Sequence, residues 1–257
     1  MTTTIYDKLN KQVASDTRWS VRVTLSDEQQ YLVYVDTCCF EKIADKKNTT
    51  LVLAGNGKLI AQWKDWWYNS MDMAQLPPTD VNGKNEVNLM IIDKINNDVL
   101  FDAGQKKAIF CTESSSVLSV FAGSGDIHAA SCWHMNRCVQ TAIITASNKD
   151  YYTSHIVKYV DFTTGKSNLG APNCNYDSIV TEMLDKGFIM KMTASTAAND
   201  VGTPLNQHQI HQEVKDLLLH GKAVASAPVP GISEFKWNEA NKQKLGVAID
   251  KVKELEQ

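Results

Sequence analysis

The chain has 257 residues, 43% of them apolar and 21% charged, a balance that suits one large globular domain or one domain with an appendage. Its net charge of −3 leaves no basic footprint for nucleic acid, and no window approaches the roughly eighteen uninterrupted apolar residues of a membrane span. The opening lacks a basic stretch followed by an apolar core, so no secretory signal is expected, and six cysteines without disulfide-framework spacing suggest free thiols in a reducing cytoplasm.

In chain order, MTTTIYDKLNKQVASDTRWS reads as strand, turn, strand: a run across Ile5, a turn at 7–10, and a second run at 12–14 leading into Asp16-Thr17-Arg18. Alternation over 20–25 and 31–35 predicts a second hairpin across the polar stretch 26–30. A β-branched run at 49–53 ends in Ala54-Gly55-Asn56-Gly57. Beyond it, Leu59, Ile60, Trp63, Trp66 and Trp67 share one face of a helix, packing it on a sheet. Pro77-Pro78 and Val81-Asn82-Gly83 mark a loop. Runs at 87–92 and 99–101 read as strands paired across Asn96-Asn97, and those at 108–112 and 117–122 as two more. Gly123-Ser124-Gly125 then opens a long helical region over 128–147, and 156–162 reads as a strand.

From about Gly165 the character changes. Helices are expected over 177–186 and 208–219, followed by a Pro-rich link at 225–230. A last helix runs from Asn238, with Leu245, Ile249, Val252 and Leu255 at helical spacing. The division is thus a first domain over 1–164 and a mainly helical extension over 165–257. Strand runs broken by helices predict an α+β protein with antiparallel sheets covered by helices.

Gly123-Ser124-Gly125 lacks the Gly-Lys-Ser/Thr ending of a phosphate loop. His208, His211 and His220 lack a carboxylate or Cys to complete a metal set, and read as a polar helix face. Cys38-Cys39, placed on a strand, would point to opposite faces. No metal or cofactor is expected.

One set of motifs falls in a telling order. Thr2-Thr3-Thr4-Ile5 is followed by Asp16-Thr17-Arg18, then by Lys42 ahead of a strand ending in Ala54-Gly55 and a Trp-bearing helix. Phe121-Ala122-Gly123-Ser124-Gly125 comes next, and then Asp150-Tyr151-Tyr152-Thr153. This order resembles the N-terminal-nucleophile hydrolases, and among them the proteasome β-subunits and their simpler bacterial and phage relatives. The resemblance covers residues 2–162, with Thr153 standing where the family motif has Ser. It implies a four-layer αββα sandwich.

It also implies a threonine-type amide hydrolase, in the first place a peptidase. Removal of Met1 would expose Thr2, whose hydroxyl is the nucleophile and whose own α-amine, with a reference pKa of about 7.7–8.0, is the base. Lys42 would tune the pair, and Asp16 would keep Lys42 charged and oriented. The Gly55 N–H would be the oxyanion donor, while Ser124, Asp150 and Thr153 would support the amine and its water. The family's rings imply self-association, and the extension is expected to pack on the body or on a protein partner. The alternative expectation is a silent member of the fold that binds partners through that extension.

Overall fold

The computed structural model describes residues 2–198, 200–227 and 235–257. The chain opens with the hairpin β1 (Thr3–Asp7) and β2 (Gln12–Asp16), then a second hairpin, β3 (Trp19–Thr24) and β4 (Gln30–Val35). Strands β5 (Ile43–Asp45) and β6 (Thr49–Asn56) lead into α1 (Gly57–Asn69). Asn56 caps that helix, its side chain accepting from the Lys58 and Leu59 N–H groups. A small hairpin of β7 (Asp80–Val81) and β8 (Lys84–Asn85) precedes β9 (Val87–Asp93) and β10 (Asp98–Ala103). Then come β11 (Lys107–Phe110), β12 (Val117–Gly123), α2 (Asp126–Asn136), α3 (Val139–Ser147) and β13 (Val157–Asp161). The remainder holds α4 (Asp177–Lys186), β14 (Phe188–Lys191), β15 (Thr203–Pro204), α5 (His211–Leu219), β16 (Ser226–Ala227) and α6 (Glu239–Leu255).

This is a mixed α+β fold with antiparallel sheets and, among the described residues, six α-helices. Five strands pair in the order β11-β12-β1-β2-β13. A larger sheet of nine runs β10-β9-β6-β16-β3-β4-β14-β15, with β5 beside β6. Period-two alternation decides what each face meets. Tyr6, Val13, Val120 and Val160 of the smaller sheet form one apolar cluster with Ile43, Val52, Met90 and Ile92 of the larger, so the sheets pack face to face. Ile5, Ala14 and Phe121 point the other way and carry α2 and α3 through Ala129, Trp133, Val139 and Ile143. The outer face of the larger sheet holds Trp19, Val33, Leu51 and Ile91 against Trp63 and Trp67 of α1, Met183 of α4, Leu218 of α5 and Ile249 of α6. Two of the three α1 tryptophans also pin the loop that follows, Trp63 Nε1–H donating to the Pro78 carbonyl at 3.0 Å and Trp66 Nε1–H to that of Asp72 at 2.8 Å.

Three local readings change. The helical region over 128–147 is two helices, because Arg137 turns left-handed (φ 56°) and closes α2 with its N–H on the Trp133 carbonyl. Cys38-Cys39 lies in the loop between β4 and β5 rather than on a strand, with Cys38 buried and Cys39 exposed; all six thiols are unpaired. The segment beyond 165 supplies β14, β15 and β16 to the larger sheet besides its three helices. Of the link at 225–230, positions 228–230 lie outside the described residues and the rest includes β16. The end of α6 is fastened to the β5–β6 turn, where a Glu256 carboxylate oxygen accepts from the Asn48 N–H at 3.0 Å and the Thr49 hydroxyl at 2.6 Å. Among the described residues no helix is long and apolar enough to cross a membrane, and no cluster of His, Cys, Asp or Glu could hold a metal.

Lys64 is the costly residue of α1. It is buried, its ammonium donating to the Glu41 carbonyl at 2.9 Å and lying 4.0 Å from the centre of the Phe40 ring. Burial pushes its pKa down to about 8, with Cys174 and Glu41 pulling upward. The folded chain gives up this proton near 8 and the unfolded chain only near 10.5, so between those values the unfolded state holds more protons and stability rises with pH. Lys64→Met is expected to abolish a rise on the order of 3 kcal/mol. Urea unfolding of both proteins at neutral pH and near pH 10 checks this; parallel pH dependences would refute it.

Candidate functional site

The antiparallel pairing of β1 with β2 (Thr4 opposite Ser15) brings the start of the first strand beside the end of the second, where Asp16 stands. The pairing of β1 with β12 (Thr3 opposite Gly123) places the Gly123 backbone against Thr2. Gly123 has φ 108°, and a Cβ there would run into the Thr2 carbonyl oxygen. A Cβ at Gly125 would meet the Thr3 hydroxyl. The two glycines of Gly-Ser-Gly thus allow the backbones to touch, and Ser124 between them keeps its hydroxyl for Asp150.

Asp16 is buried and fully engaged. Its Oδ1 accepts from the Thr2 hydroxyl, from the Thr3 N–H at 2.8 Å and from the Lys42 ammonium at 2.9 Å. Its Oδ2 accepts from the Arg18 N–H at 2.9 Å and the Ser154 N–H at 3.0 Å. Lys42 reaches it from just ahead of β5, its side chain 1% exposed. Burial lowers the Lys42 pKa from its usual lysine value, and the charge and hydrogen bond of Asp16 push back. Arg18 holds the turn after β2: its guanidinium grips Asp36 with both arms at 2.7 Å and lies 3.9 Å from the centre of the Tyr34 ring.

A second cluster adjoins the first. Asp150 Oδ2 accepts from the Thr153 hydroxyl at 2.6 Å and from the Ser124 hydroxyl. The Thr153 hydroxyl is also 2.8 Å from that of Thr3, and Ser154, next in the chain, is the residue whose N–H reaches Asp16. Thr2, Asp16 and Lys42 are therefore in direct contact, and Ser124, Asp150 and Thr153 are joined to them through Thr3 and Ser154. Gly55, the seventh expected residue, ends β6 with φ 129° and pairs in the larger sheet with Val87 and Ala227. Among the described residues it makes no hydrogen bond to Thr2, Asp16 or Lys42. It does line a cavity of about 1230 Å³ with Arg22, Asn56, Asn88 and Lys222.

No family model matches the chain. No curated protein matches it either. A hydroxyl and an ammonium share one carboxylate oxygen in a dry setting, where charges act strongly on one another and on any charge that develops nearby. Sequence reasoning missed Asp36, Thr3 and the Ser154 N–H. Asp36 sits in no motif, and a main-chain donor carries no residue signature. The one available hint was Arg18, whose place two residues after Asp16 marked it without giving it a partner.

Breaking the buried pair is expected to destabilise more than removing it. Asp16→Asn and Lys42→Met should each cost about 3–5 kcal/mol, because each strands a buried partner, while the double variant should recover much of the loss. A double-mutant cycle by urea denaturation checks this; additive losses would refute the coupling.

Proposed function

We propose that this chain is a threonine-type amide hydrolase acting on peptides, a four-layer αββα sandwich of the proteasome β-subunit kind. The observation that carries the reading is the shared carboxylate oxygen: Thr2 hydroxyl and Lys42 ammonium meet on Asp16 Oδ1. The face-to-face sheets, with α2 and α3 outside one and α1 and α4–α6 outside the other, support the layer order.

In this reading, removal of Met1 leaves Thr2 with a free α-amine. The amine takes the hydroxyl proton, directly or through a water, and Oγ1 attacks the substrate carbonyl. Lys42 steadies the developing alkoxide, and the Gly55 N–H receives the oxyanion. The amine returns the proton to the departing nitrogen, leaving an ester on Thr2 that water then cleaves. Asp16 holds Lys42 charged against the pull of burial, and the Ser124–Asp150–Thr153 cluster orders the ground on which the amine and its water sit. Self-association belongs to the same reading, and exposed Ile127 and Met135 on α2 and Ile144 on α3 offer it apolar surface. Six unpaired thiols favour a cytoplasmic setting.

A second reading, a silent structural member of the fold binding a partner through the segment beyond 165, draws on one fact: Thr2 is 0% exposed. A peptide epoxyketone, which needs a free α-amine beside a hydroxyl, separates the two. Mass spectrometry of the treated protein is expected to show loss of Met1 and one adduct on Thr2, absent in Thr2→Ala. In Lys42→Met, labelling should be slower by about a hundredfold, the scale of losing one electrostatic stabiliser. Retained Met1 with no adduct would overturn the hydrolase reading in favour of the second.

A further inference from the structure

Two of the six cysteines stand together at the far end of the hairpin that α2 and α3 form. α2 ends at Asn136, the left-handed Arg137 reverses the chain, and Cys138 stands at the N-cap of α3. The reversal lays α3 along α2, with Ala129, Trp133, Val139 and Ile143 in one apolar cluster. Cys132, from the last turns of α2, faces that seam. Its thiol donates to the Thr145 hydroxyl at 3.1 Å and to the Thr141 carbonyl at 3.7 Å, and Asn136 Nδ2 donates to its sulfur at 3.0 Å. Cys138 meets two of the same residues. Thr141 Oγ1 donates to its Sγ at 3.3 Å, and Asn136 Oδ1 accepts from its N–H at 2.9 Å. Among the described residues no other two cysteines share their hydrogen-bond partners.

The two thiols differ in what surrounds them. Burial pushes the Cys138 thiol up, but the Thr141 hydroxyl and the main chain at Thr141 and Gln140 bring it below the usual thiol value. Its place at the start of α3 adds the positive end of the helix dipole. Cys132 instead sits on a hydroxyl and a carbonyl, acceptors that keep its proton in place. Both residues are half-buried, so the pair is not sealed in the core. Cys38 is the opposite case, buried and pushed up to about 12.

We propose that Cys138 and Cys132 are a peroxide-reactive pair, Cys138 attacking hydrogen peroxide and Cys132 closing a disulfide with it. In the first step the Cys138 thiolate bonds to one peroxide oxygen, the O–O bond breaks, and the departing hydroxide takes a proton to become water. The sulfur is then a sulfenic acid. In the second step the Cys132 sulfur attacks Cys138 Sγ. The S–S bond forms, the S–O bond breaks, and hydroxide leaves as water with the Cys132 proton. The two thiols lose two electrons and the peroxide gains them. A dithiol restores the pair by exchange. The bridge closes the hairpin at its far end, as the bond from Ser124 to Asp150 closes it at the near end. The pair does not depend on the function proposed above.

Peptide mapping after equimolar hydrogen peroxide tests the pair, with dimedone as the probe for sulfenic acid and iodoacetamide blocking the remaining thiols. The full chain is expected to yield a crosslinked peptide joining Cys132 to Cys138, and to return to six alkylated thiols after dithiothreitol. Cys132→Ser should hold the reaction at its first step, with the dimedone adduct on Cys138. Cys138→Ser should give neither a bridge nor an adduct on Cys132. Thr141→Val removes the hydroxyl bond to Cys138 and leaves the carbonyl that faces Cys132. It should slow the first step about threefold, a roughly tenfold loss of thiolate partly offset by greater nucleophilicity. No crosslink in the full chain, with both thiols still alkylated, overturns the pair. Dimedone marking Cys132 in Cys138→Ser as fast as it marks Cys138 in Cys132→Ser overturns the assignment of the attacking thiol.

Discussion

Five donors converge on one carboxylate. Asp16 takes the Thr2 hydroxyl, the Thr3 N–H and the Lys42 ammonium on one oxygen, and the Arg18 and Ser154 N–H groups on the other. A buried carboxylate needs hydrogen-bond partners to replace its lost hydration, and these five supply them. These five come from four places in the chain: the start of β1, the turn after β2, the approach to β5 and the approach to β13. The apolar cluster between the sheets supplies bulk attraction, which has no direction. The ion pair supplies the direction, since Asp16 ends a strand of the smaller sheet and Lys42 leads into the larger.

Around that point, the site is made by what is left out as much as by what is present. The missing side chains of Gly123 and Gly125 let β12 and the turn after it close on Thr2 and Thr3. That approach carries Ser124 to Asp150, and through Thr153 and Thr3 the second cluster bears on the first. Arg18 secures the arrangement from outside, pinned between Asp36 and the Tyr34 ring. A substitution in any one of these elements acts on Thr2 through the others.

Much of the secondary structure was legible because it rests on period. The two opening hairpins, the Trp-bearing α1 and the span of α4 follow from alternation, helical spacing and turn residues. The break at Arg137 was not, since nothing in the apolar pattern marks a left-handed residue of that type. Nor was β15, because two residues have no period. Of the site, the order of the motifs named Thr2, Asp16, Lys42, Ser124, Asp150 and Thr153, and their meeting depends on contacts across as many as 150 positions. The role of Thr3 as the link and of the Ser154 N–H as a donor depends on register, which sequence spacing does not carry. Gly55 was legible as the end of a strand, and its pairing with Ala227 was not.

The fastening of both flanks of the segment around β16 has a further consequence. On one side β14 is laddered to β4; on the other Glu256 ties the end of α6 to Asn48 and Thr49. Both ties fall on the larger sheet, β14 on β4 and the end of α6 on the turn between β5 and β6, so the segment beyond 165 loosens only by fraying that sheet, while the smaller sheet keeps its own ladder.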